Sequence, residues 1–121
     1  MFVVSFHLFQ SLYLMLRLGE ISLKENKTDD AVKLLHSARF LAETGPYLYY
    51  LPDIYQDLAL AFRKKNMVDS SFYYNDKFNA AQQQLVNEKT NQQVAEVNAK
   101  YQLEGKQSTI KKLGHKVGLY L

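Results

Sequence analysis

The chain has no cysteine and no tryptophan, and its 121 residues include only two prolines and five glycines. Without thiols there is no disulfide framework and no thiolate metal site. The lack of cysteine fits a bacterial cytoplasmic protein and is also compatible with the periplasm. The glycines never gather into a phosphate-binding loop, and no nucleophile motif is present. His7, His36 and His115 stand far apart, none with another metal ligand at the spacing a metal site needs. No catalytic residue, metal or cofactor is therefore expected. The acidic pair Asp29–Asp30 reads as carboxylates complementing a helix N-terminus rather than as an acid–base couple, and His36 reads as a solvated side chain.

An uninterrupted apolar run is missing too. The N-terminus is apolar from Phe2 to Leu18, but His7, Gln10 and Ser11 break it. No basic residue precedes it and no small-residue cleavage site follows. A membrane span needs about 20 predominantly apolar residues. The segment is expected to be a buried helix rather than an anchor or export signal. A net charge of +3 supports solubility and does not by itself imply nucleic acid. The length suits one small domain with a modest core.

What is present is a repeat. Leu18 to Ala38, LGEISLKENKTDDAVKLLHSA, and Leu58 to Phe78, LALAFRKKNMVDSSFYYNDKF, share a layout about 40 residues apart, a period typical of helical repeats. Leu18 matches Leu58, Lys24 matches Lys64, Asn26 matches Asn66 and Asp29 matches Asp69. Gly19 and Ala31 are small residues suited to a close helix crossing, as are Ala59 and Ser71. Met15, Leu18 and Leu35 are expected to fill the space around the first crossing. Tyr55, Leu58, Phe62 and Phe78 are expected around the second. Asn26 and Asn66 stand where a helix must end, and Asn tolerates the left-handed conformation found there.

A helix is predicted over about 28–43 from the recurrence of Ala31, Leu34, Leu35, Ala38, Leu41 and Ala42. Thr28 or Asp29 can cap it, while Gly45 and Pro46 end it. The next helix is predicted to begin between Tyr49 and Pro52, since proline is tolerated in a first turn, and to run to about Lys65. The aromatic stretch Tyr47 to Leu51 is expected to pack between helices rather than to form a stacking platform for a ligand. Beyond Met67 the chain is predicted to be helical through Phe72, Phe78, Ala81 and Leu85. The apolar phase changes near Asn87, so either a new helix begins there or one helix continues with a changed face.

This pattern resembles the tetratricopeptide repeat. The first copy offers Met15, Leu18-Gly19, Ala31 and Ala38, and the second Tyr55, Leu58-Ala59, Phe62 and Ser71. Departures are Ser22 in place of an aromatic, Asn in place of the turn glycine, no closing proline, and units longer than the family's 34 residues. The resemblance implies an all-α fold with two helical hairpins, about 5–45 and 49–86, within a repeat domain spanning 1–86. It also implies a groove along the first helix of each hairpin. The repeat frame projects Tyr13, Leu16, Glu20, Lys24, Asp53, Gln56, Leu60 and Arg63 toward that groove. Some members grip a C-terminal carboxylate with Lys and Asn at set positions. Leu16, Glu20, Gln56 and Leu60 occupy those places here, which argues against that specificity.

The stretch Asn87 to Leu113 resembles the linker after the last repeat in Bacteroidetes signalling proteins, through Ala95-Glu96-Val97 and Ala99-Lys100-Tyr101. There it leads to an output domain that does not follow here. It is expected to be a helix, interrupted at Gly105, with a flexible tail over 114–121. Sparse in apolar residues, such a helix needs a groove or a second copy of itself, with Val94, Val97 and Tyr101 as the contact stripe. The functional expectation is a protein or peptide partner and a homodimer formed through the terminal helices. The alternative is nucleic acid contacted by Lys100, Lys106, Lys111, Lys112 and Lys116. Against that stand the interleaved Glu96 and Glu104 and the absence of arginine after Arg63.

Circular dichroism of the purified chain should show a strongly helical spectrum. A sheet-rich spectrum would refute the repeat reading.

Overall fold

The computed structural model describes the backbone of residues 2–119 and the side chains of residues 6–106. The chain is all-α, with no strand among the described residues. Helix α1 spans Phe2–Lys24 and α2 Thr28–Thr44. A short 3-10 turn, Leu48–Tyr50, precedes α3, Leu51–Lys64, and α4 runs over Val68–Leu119. The packing divides the chain into two units, Met1–Leu85 and Val86–Leu121.

The first unit repeats one turn twice. Asn26 and Asn66 adopt φ of 60° and 59°, the left-handed conformation in which Asn is tolerated. In the first turn the Lys27 N–H donates to the Ser22 carbonyl at 2.8 Å and Asn26 N–H to Leu23 O at 3.1 Å. In the second, Met67 N–H donates to Phe62 O at 2.9 Å and Asn66 N–H to Arg63 O at 3.0 Å. These are the paired bonds of a Schellman motif, which satisfy the carbonyls left free at a helix end. The sequence repeat is thus a repeat of backbone geometry. The caps that follow differ from expectation. No side-chain cap bond forms at the start of α2. Asp29 instead accepts from Lys65 Nζ at 2.6 Å, because the turn brings the two loops side by side. Gly45 is extended, φ −124° and ψ −173°, so α2 stops at an extended Gly-Pro step. Pro52 stands in the first turn of α3.

The helices pack where the small residues fall. A Cβ on Gly19 would lie 3.0 Å from Leu35 Cγ and Cδ2 and 3.7 Å from the Ala31 carbonyl oxygen. In the second hairpin Ser71 Oγ donates to Ala59 O at 2.9 Å. Leu12, Leu16, Leu35, Ile54 and Leu58 are the large side chains fully buried in the core. Met15 and Phe78 pack against it partly buried. Leu18 does not join the first crossing. It remains 41% exposed, lining an open depression between α1 and α2 with Ile21, Ser22, Asp30, Lys33 and Leu34.

An aromatic layer fills the second crossing. Tyr74 stacks on Phe62, with centroids 5.6 Å apart and an interplanar angle of 7°, and lies 6.2 Å from Tyr55. Arg39 sits over the Tyr74 ring at 6.0 Å. The inward aromatic of α4 is therefore Tyr74, while Phe72 is exposed. His36 is not solvated as expected. It is half-buried, with its ring 6.0 Å from Phe62 and 5.9 Å from Tyr74. Tyr47 and Tyr50 pack on Phe9 of α1 at 6.1 and 5.8 Å, whereas Tyr49 is exposed.

Asn87 starts no new helix, and Gly105 interrupts none. A Cβ at Gly105 would meet nothing within 4 Å, so its helical conformation conflicts with no neighbour. The expected flexible tail over 114–121 is helical through Leu119; Tyr120 and Leu121 lie outside the described residues.

Gly19→Leu should destabilise the chain by about 1–3 kcal/mol through overpacking against Leu35. Ser71→Ala should cost about 1 kcal/mol through loss of the bond to Ala59. Urea unfolding of both variants checks these values; no change for Gly19→Leu would mean that α1 and α2 do not cross there.

Candidate partner-binding groove

The groove begins from the turn of α3 that carries Gln56, Asp57, Leu60 and Arg63. With Ala59, and with Ser71 and Asn75 from α4, these residues line a cavity of about 400 Å³. Leu60 is half-buried, while Gln56 and Arg63 are exposed. The surface thus sets the apolar Ala59 and Leu60 among two amides, a hydroxyl, a carboxyl and a guanidinium. Three of the eight residues projected from the repeat frame, Gln56, Leu60 and Arg63, come together here.

The others take different places. Leu16 is fully buried and supports the hydrophobic core, since its position on α1 faces α2. Tyr13 is 46% exposed, with the Arg17 guanidinium 5.1 Å from its ring centroid. Glu20 accepts from Arg17 Nη1 at 2.8 Å. Lys24 and Asp53 are exposed. In the other unit, Val94 and Val97 line a shallow depression with Thr90, Gln93 and Asn98, and Tyr101 is 75% exposed.

Asp57 was not projected, yet it carries the strongest electrostatic perturbation of the groove. Burial, then the adjacent Glu20 and Asp53 carboxylates, push its carboxyl up to about 7, against the opposing charge of Arg17. Its Oδ2 is buried with no hydrogen-bond partner among the described residues. Two facing carboxylates can bond only when one keeps its proton. The raised Asp57 carboxyl lies where Glu20 of α1 adjoins α3. The signal in the sequence was a lone acid inside the buried run Ile54, Tyr55, Leu58, Ala59, Ala61 and Phe62.

A second polar contact closes the opposite edge. Tyr55 donates its phenol to Glu43 Oε1 at 2.6 Å, and burial together with that carboxylate raises the phenol above its usual range. Burial lowers the His36 imidazole, with Arg39 adding to the effect. Among the described residues no group of three or more His, Cys, Asp or Glu is placed to hold a metal ion. No helix of the described residues is long and apolar enough to cross a membrane. Compared with known protein families, curated proteins and solved structures, the chain finds no match.

The raised Asp57 carboxyl has a definite sign. Between about pH 4 and pH 7 the folded chain holds a proton that the unfolded chain releases. Stability should therefore fall as pH rises through that window. Asp57→Asn should flatten this loss and raise Tm at pH 8 while changing it little at pH 4. Thermal unfolding across pH checks the sign; a wild-type Tm that rises between pH 5 and pH 7 only in the presence of Asp57 would contradict it.

Proposed function

We propose that the chain is a non-catalytic protein-interaction module, a tetratricopeptide-like scaffold or sensor piece that works by holding a protein or peptide segment. The observation that carries this reading is the groove of α3 and α4. Half-buried Leu60 lies between Gln56 and Arg63, beside the Asp57 carboxyl that burial raises to about 7. Such a surface has an apolar seat and hydrogen-bonding groups at its edge, the composition expected of a peptide site. The duplicated Asn turns support the repeat assignment. Second copies of the chain are part of the same reading, engaged through the terminal helices, where α1 and the stripe Val94, Val97 and Tyr101 expose apolar side chains. A bacterial cytoplasmic setting accords with the absence of cysteine.

Affinity capture from the native cell, comparing the wild-type chain with Leu60→Glu and Arg63→Glu, tests the groove. A protein retained by the wild type and lost by both variants is the expected result. Retention should change little with salt, as an apolar seat requires. Capture of nucleic acid that weakens steeply with salt and is lost when Lys100 and Lys106 are replaced would establish the alternative reading instead.

A further inference from the structure

The two hairpins differ in what covers the outer face of the first helix. On α3, Ile54, Leu58 and Ala61 are fully buried in the core. Their counterparts 40 residues earlier on α1 are Leu14, Leu18 and Ile21. These stand 58%, 41% and 49% exposed. Meanwhile the inward face of α1 is already occupied, since Leu12, Leu16, Gly19 and Leu23 are buried. The helix is thus apolar on two opposite faces, the pattern of a helix covered on both sides.

The uncovered face has a regular spacing. His7, Ser11, Leu14, Leu18, Ile21 and Glu25 follow one another at intervals of four and three residues, a heptad seam. Laid antiparallel on itself, this seam pairs without remainder: Leu14 faces Leu18 of the second copy, Ser11 faces Ile21, and His7 faces Glu25. Each seam position meets another member of the set, and a base meets an acid at both ends. Leu8, exposed, and Met15, half-buried, widen the apolar strip on one flank. On the other flank Arg17 approaches its own copy, but Glu20 at 2.8 Å already neutralises it. Among the described residues Glu25 pairs with Lys27 at 3.3 Å, with both side chains more than half exposed, a contact readily exchanged.

The ends of the seam also separate a second copy from a stacked hairpin. Where a hairpin covers this face, on α3, the positions equivalent to His7 and Ser11 are Tyr47 and Leu51, and Leu51 is buried. On α1 those positions are polar, and His7 complements Glu25 at the far end of the seam. Resting on the reading of the chain as a self-associating module, we propose that it forms a two-fold dimer through the outer face of α1. In this antiparallel helix pair Leu14, Leu18 and Ile21 fill the centre and His7 meets Glu25 of the second copy at each end.

Sedimentation equilibrium, with circular dichroism to confirm folding, tests this. The wild type should be a dimer at micromolar concentration. Leu18→Glu, or Ile21→Lys should the first variant misfold, should give a helical monomer. His7→Glu and Glu25→Lys should each weaken the dimer several-fold, and the charge-swapped double variant should recover it. Because the native chain has no cysteine, the register can be read directly. A mixture of Leu14→Cys and Leu18→Cys chains should form the mixed disulfide in preference to either homodimer. A wild-type monomer at high micromolar concentration would overturn both the dimer and the self-association on which it rests. A dimer that survives Leu18→Glu but is lost with Val97→Lys would leave self-association standing and overturn the α1 interface. Failure of the double charge swap to restore the dimer, or equal cross-linking in all mixtures, would overturn the antiparallel register.

Discussion

The packed unit depends on how closely α1 and α2 approach at Gly19. With no side chain there, Leu35 fills the space a Cβ would need. Leu12 and Leu16 can then close over it without voids, at the density that protein interiors require. The crossing sets the position of α2, and α2 sets the surface on which α3 and the aromatic layer settle. Tyr74, Phe62 and His36 occupy the wedge between the hairpins, and their ring planes leave room for Arg39 above.

The groove is a consequence of that arrangement rather than a separate device. The faces of α1 and α3 left over after the core is filled carry Glu20 and Asp57. Burial raises the Asp57 carboxyl there, with the Glu20 charge adding to the effect. The inter-hairpin contact is therefore polar at this edge and at the Tyr55–Glu43 edge, with apolar and aromatic packing between them.

Local features were legible in the sequence. Asn26 and Asn66 announced the turns, and the small residues announced both crossings, because each acts through its own backbone or its own missing volume. Faces were less legible. Leu16 and Leu18 are two residues apart and equally apolar, yet one is fully buried and the other is not. Only the position of α2 separates them. His36 and Tyr74 were missed for the same reason, since their neighbours come from three different helices. Asp29 looked like a cap and proved to be a bridge, because the partner, Lys65, lies 36 residues away. Gly105 looked like a helix break because propensity alone disfavours it in a helix, and the change of apolar phase near Asn87 left a break there open.

The links between the two turns bear on cooperativity. Lys64 Nζ donates to the Leu23 carbonyl at 3.0 Å, capping the end of α1 from the next hairpin, and Lys65 reaches Asp29 beside it. Leu23 O is a carbonyl of the last turn of α1 that also accepts the Asn26 N–H, so Lys64 adds a second bond to it. The second hairpin is therefore bonded directly to the end of the first hairpin's leading helix. In a linear array of repeats, stability divides between each unit and its contact with the next. Here the contact includes the Lys64 and Lys65 bonds and the aromatic wedge, while each hairpin alone is short. The two hairpins are built to melt in a single transition, as one indivisible folding unit.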